Sequence, residues 1–78
     1  MENSQLPETE LELLFERQQE GGYHVYCPQL PGLHTEGETL EEAQSNAREA
    51  LELYAEAMAE EGKKLDLARI RPHFRGPQ

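Results

Sequence analysis

The sequence has no tryptophan, a single cysteine and only seven lysines and arginines among 78 residues. It also lacks any apolar run of the roughly 18 residues that a membrane-spanning helix requires. Each shortage excludes something. One cysteine, Cys27, cannot form an intrachain disulfide and suits a reducing compartment, so a cytoplasmic location is expected. The opening residues, Met1 to Thr9, are polar and acidic and lack the basic start and apolar centre of a secretory signal. The scarce cations face sixteen acidic residues, giving a net charge of −9. Nucleic-acid affinity comes largely from phosphate neutralisation by lysine and arginine, so direct nucleic-acid binding is not expected.

The charge is unevenly placed. Residues 1–61 hold fifteen glutamates against Arg17 and Arg48, whereas residues 62–78 hold Lys63, Lys64, Arg69, Arg71 and Arg75 against Asp66. An acidic body of this kind steers towards a basic partner, although acidity also serves solubility alone. The length fits one domain, residues 1–78, with flexible tails at 1–8 and 75–78 and with Leu6-Pro7 able to dock on the body. So small a domain buries a modest core, and association into a homo-oligomer, a dimer or tetramer, is the expected remedy.

What is present is organised around Pro28–Gly62, a turn-rich loop running into one long amphipathic helix. Thr39 and Glu42 have the spacing of a capping box, Glu38, Glu41 and Glu42 sit at the positive end of the helix dipole, and Gly62 is placed to end the helix. At about 100° per residue, Leu40, Ala43, Ala47, Ala50, Leu51, Leu53, Tyr54, Ala57 and Met58 share one arc, with Asn46 at its edge. The small residues at the centre of that arc predict close packing on a sheet.

Residues 10–17 alternate with period two, Leu11, Leu13 and Phe15 to one side and Glu10, Glu12, Leu14 and Glu16 to the other. Leu14 is then an apolar residue on the outer face. Gly21-Gly22 predicts a hairpin into a second strand, Tyr23–Cys27, and Leu33–Glu36 a third. The helix spans about Leu40–Glu61, and a return strand is expected around Asp66–Arg71, ended by Pro72. The resulting fold class is α+β: a two-layer β-β-β-α-β arrangement with one long helix packed on an antiparallel sheet. Its second sheet face is bare unless another copy covers it.

No constellation in the sequence amounts to an active site. His34 can approach Cys27 across a turn, but two ligands do not make a zinc site, and no Cys-x-x-Cys spacing occurs. Alternation puts Cys27 beside Val25, which favours a buried, inert thiol over a nucleophile. The glutamates read as solvated faces, since acid–base work needs a converging, partly buried pair. No metal, cofactor or catalytic residue is therefore assigned.

The run Tyr26-Cys27-Pro28-Gln29-Leu30-Pro31-Gly32, followed by Thr35-Glu36-Gly37-Glu38-Thr39 and then Glu42-Ala43, Asn46-Ala47 and Glu49-Ala50, resembles the HicB family. These are the antitoxins of HicA–HicB toxin–antitoxin modules, together with small stand-alone relatives. The resemblance implies a degenerate ribonuclease-H-like fold without catalytic carboxylates. It implies a non-enzymatic activity, the sequestering of a small basic HicA-type toxin that cleaves mRNA. The sequence departs from the family where Gln29, Leu33 and Glu38 stand in place of the usual Asp, a small residue such as Cys, and Asp. Sixteen residues follow Gly62, so the operator-binding domain common in longer members is not expected. Tyr26, Gln29, Glu36 and Glu38 are the candidate partner-binding residues. Two alternatives stand beside this reading: an orphan domain that only self-associates, and a degenerate ribonuclease-H-like enzyme or small-ligand protein, which needs a converging carboxylate or histidine cluster.

Overall fold

Alternation in the first segment produces a strand that is buried on both sides at its centre. The computed structural model describes residues 10–76. In it β1 (Leu11–Arg17) pairs antiparallel with β2 (Tyr23–Tyr26), and β2 pairs antiparallel with β3 (His34–Gly37). The β1–β2 turn is closed by Gly21 and Gly22, whose φ values of 101° and 82° lie where only glycine is comfortable. A long helix, α1 (Leu40–Glu60), follows, then a short 3-10 turn (Leu67–Arg69) and β4 (Ile70–Arg75).

The sheet order is β3-β2-β1-β4, and β4 runs parallel to β1, with Leu11 opposite Ile70 and Phe15 opposite Phe74. The sheet is therefore mixed, not antiparallel as the sequence suggested. The reason is the helix: a parallel pair needs a long crossover, and α1 supplies it. The return strand also starts later than expected. Asp66 caps the 3-10 turn, its Oδ1 accepting from the Ala68 amide at 3.0 Å, so the strand begins only at Ile70. Pro72 lies inside β4 and does not end it, which an edge strand tolerates because only one side of it is paired. The 1–8 tail and the docking of Leu6-Pro7 lie outside the described residues.

The helix ends as its sequence dictates. Thr39 Oγ1 accepts from the Glu42 amide at 3.0 Å. The Glu42 carboxylate reaches back one residue further than a capping box requires, to the Glu38 amide at 2.6 Å. At the other end Gly62 adopts φ 80°, its amide donates to Ala59 O, and the Lys63 amide donates to Met58 O at 2.9 Å, which is a Schellman motif.

Ala43, Ala47 and Leu51 carry the buried stripe of α1 onto Leu13, Phe15, Val25, Cys27, Leu30 and Leu33. Leu53, placed in the apolar arc by angle, is instead 60% exposed. It lies one heptad beyond Asn46, whose Nδ2 donates to Glu36 O at 2.8 Å. That stripe therefore runs along the edge strand β3, with no strand beyond it. The helix packs mainly on β3 and β2. A helix about 10 Å across covers roughly two strands spaced ~4.8 Å apart, so half the sheet is left without a helix. On that half, Leu13, Phe15, Ile70 and Pro72 floor a groove of about 550 Å³ walled by Leu51, Arg48 and Glu52. Leu67 and Phe74 beside it are 43% and 53% exposed.

Candidate functional site

The register fixes what the helix-free face displays, because residues opposite one another in a ladder project to the same side. One row across the sheet reads Glu36, His24, Glu16, Arg75, and the next reads His34, Tyr26, Leu14, His73. Glu12 and Arg71 continue the pattern at the far end of β1 and β4. All three histidines of the chain thus share one face, together with the outward carboxylates of β1 and β3.

This arrangement corrects two expectations. His34 is on the outer face and exposed, whereas Cys27 belongs to the core cluster on the helix side, so the two do not meet. Leu14 does not need a second copy to cover it: it is 4% exposed within one chain, with Tyr26 and His73 as its neighbours across the sheet. The uncovered apolar surface is on the other side, at the groove and Phe74.

Tyr26 donates from its hydroxyl to Glu16 Oε2 at 3.0 Å, and the same oxygen lies 3.7 Å from Arg75 Nη1. The Glu16 hydrogen bond, helped by burial and by the carboxylate's charge, holds the Tyr26 phenol above its ordinary range, with Arg75 opposing. His24 lies beside Tyr26, with ring centroids 5.7 Å apart, and beside His34 at 6.0 Å.

Gln29 is exposed, but its side chain ties the loop to the neighbouring strand. Its Oε1 accepts from the Glu12 amide at 3.0 Å, serving a strand donor at the point where β2 has ended, and lies 3.5 Å from Cys27 Sγ. Leu30 and Leu33 are buried, and Tyr54 donates to Pro31 O at 3.0 Å. The loop is thus pinned to both β1 and α1. Burial is the main cause that pushes the Cys27 thiol up, against hydrogen bonds from the Gln29 and Leu30 backbone, with Glu12 adding to the rise.

Glu36, in the row next to Tyr26 on the outer face, and Glu38 border the start of α1. With Glu42, His24, Asn46 and Gln18 they line a cleft of about 520 Å³ between the β1–β2 turn and the start of α1. The structure thus places Tyr26 and Glu36 on one sheet face, Glu38 at the cleft beside it, and Gln29 in the loop bonded to β1. Sequence reading missed Glu16, His24 and His73 as members of the same face. Alternation placed Glu16 on the outward side of β1, but only the register joins it to His24 and His73. Among the described residues, no group of three or more His, Cys, Asp or Glu side chains is arranged to hold a metal ion. No helix among them is long and apolar enough to cross a membrane.

A family model described as the HicB-like antitoxin of bacterial toxin–antitoxin systems matches residues 12–72. The chain is similar to UPF0150 protein ssr1765 of Synechocystis sp., 49% identical over 63% of this chain and 62% of that protein. It is similar to a UPF0150 protein of Archaeoglobus fulgidus, 41% identical over 56% of this chain and 64% of that one. It is also similar to UPF0150 protein Ta0767 of Thermoplasma acidophilum, 34% identical over 68% and 77%. The match to the Synechocystis protein therefore spans less than two thirds of that relative's length. No solved structure matches the chain.

Proposed function

Because the chain belongs to the HicB-like antitoxin family, we propose that it works by binding a small basic protein and not by catalysis. The partner is a HicA-type toxin, an mRNA-cleaving protein, and the chain sequesters it. The observation that carries this reading is the helix-free sheet face. Glu12, Glu16 and Glu36 project from it, Glu10 lies at its margin in an ion pair with Arg71 at 3.2 Å, and Glu38 stands beside it at the cleft. Carboxylates spread over a rigid sheet suit electrostatic capture of a basic surface, which raises the encounter rate as well as selecting the partner. Tyr26, held by Glu16, supplies an amphipathic ring at the centre of that face. Gln29 contributes by fixing the loop.

The sheet order with β4 parallel to β1 supports reading the fold as a degenerate ribonuclease-H-like domain. A buried free thiol supports a reducing, cytoplasmic setting. The test is affinity isolation from the native cells at low salt with mass identification of what co-purifies. A stoichiometric small basic protein, lost on combined Glu16→Gln and Glu36→Gln substitution, is the expected result. A partner retained by that variant would place docking elsewhere.

A second reading, self-association without a toxin, is favoured by the exposed groove, Leu67 and Phe74. In that case nothing basic is captured and the chain runs as a dimer or tetramer in light scattering.

A further inference from the structure

We infer that the three histidines of the helix-free face offset most of its negative charge when protonated, so that mild acidification releases a basic partner held there. The inference rests on the docking reading above and adds a regulation to the same surface.

The geometry supplies every element. His24 sits opposite Glu16 of β1 and Glu36 of β3, with His34 and Tyr26 alongside. His34 sits opposite Tyr26 and on the same strand face as Glu36. His73 sits opposite Leu14 and between Arg71 and Arg75 on β4. The face therefore carries the carboxylates of Glu10, Glu12, Glu16 and Glu36, with Glu38 and Glu42 beside His24 at the cleft, against the guanidiniums of Arg71 and Arg75, a net negative surface. Histidine is the side chain that changes charge near neutral pH. Three imidazolium charges added to six negative and two positive ones cancel most of the net negative charge of the face.

The histidines are also well distributed for this effect. His24 lies between the carboxylates of Glu16 and Glu36, so its protonation neutralises the most negative row, and His34 and His73 mark opposite edges of the sheet. His34 and His73 are exposed and His24 is half-buried, so each meets a partner's charge at short range. By linkage, a cationic partner disfavours protonation of the imidazoles, and its binding is weakened as they protonate. The sign is fixed: affinity is full above the histidine range and falls as pH drops through it.

The probe is a ten-residue lysine peptide at low ionic strength, titrated into the full chain at about pH 7.5 and pH 5.5. The imidazole proton resonances of His24, His34 and His73 report where it binds. The expected result is perturbation of these resonances at the higher pH, an affinity about tenfold weaker at the lower pH, and a downward shift of the imidazole titration midpoints in the presence of peptide. A His24→Gln, His34→Gln, His73→Gln variant is expected to keep its affinity across this range. Binding on this face with the same pH response in wild type and variant would overturn the switch and leave the docking face intact. Peptide shifts confined to α1 around Glu49, Glu52 and Glu56, with silent imidazoles, would overturn the docking face itself. The midpoint shift needs only the wild-type chain, so it decides the matter even if the triple variant fails to fold.

Discussion

Gly37 and Ala43 are pressed together where β3 meets the start of α1. A methyl added to Gly37 would lie 2.7 Å from Ala43 Cα and nearer still to its amide nitrogen. Both neighbours are backbone and cannot rotate away. Gly37→Ala is therefore expected to destabilise the chain by about 1–3 kcal/mol through overpacking. The urea midpoint should fall with no change in slope. Gly21→Ala, open to solvent but at positive φ, is the comparison and should cost about 1 kcal/mol.

Leu14→Ala is expected to cost about 2–4 kcal/mol, the usual range for a buried leucine. Because the burial is internal to one chain, the loss should be the same at low and high protein concentration. A loss that appears only at high concentration would assign Leu14 to an interface instead.

Phe15 and Phe74 stack with centroids 5.0 Å apart, but only Phe15 is buried. Phe15→Ala should cost about 3–5 kcal/mol. Phe74→Ala should cost distinctly less, on the order of 1–2 kcal/mol, since it loses the stacking and about half of its burial. Equal losses from thermal or urea unfolding would mean that Phe74 is covered in solution.

Cys27 has a pH signature with a definite sign. Its folded thiol ionises above the ordinary range. Its contribution is thus whole below the unfolded pKa of about 8.5. It is lost as pH rises from there through the folded value. The urea midpoint of wild type should fall over this range more than that of Cys27→Ala. Alkylation of the native thiol should be slow and should accelerate on unfolding.

Tyr26 provides an independent reading of the face. Its phenol is raised chiefly by the hydrogen bond to Glu16. Glu16→Gln should lower the midpoint of that phenol in an alkaline absorbance titration. An unchanged curve would show that the Tyr26–Glu16 contact does not persist in solution.

Much of this fold was legible in the sequence, for reasons that are local. Thr39, Glu42 and Gly62 bound the helix through their own chemistry, and the alternation of Leu11, Leu13 and Phe15 names one buried face without tertiary knowledge. Leu14 defeated the same rule, because burial on a second sheet face depends on which strands flank it, and β4 arrives from the far end of the chain. Pro72 misled for a similar reason. Proline ends a strand only if its missing donor is needed, and whether β4 lies at an edge is a property of the sheet, not of the strand. Glu36 and Tyr26 can be named as candidates from the sequence, but that they share one face with Glu16, His24, His34 and His73 is a matter of register. The bond that Gln29 accepts from the Glu12 amide could not be read from the sequence either, because it joins residues 17 apart.

The parallel pairing of β1 with β4 also has a kinetic meaning. Leu11 must find Ile70, almost the whole length of the described chain away, whereas β1, β2, β3 and the start of α1 each meet a near neighbour in sequence. Closing so long a loop is entropically costly before any contact rewards it. The meander and helix should therefore assemble first, with the sheet one strand short and Phe15 lacking its stacking partner. Substitutions in β4 should then accelerate unfolding while leaving the rate of folding almost untouched.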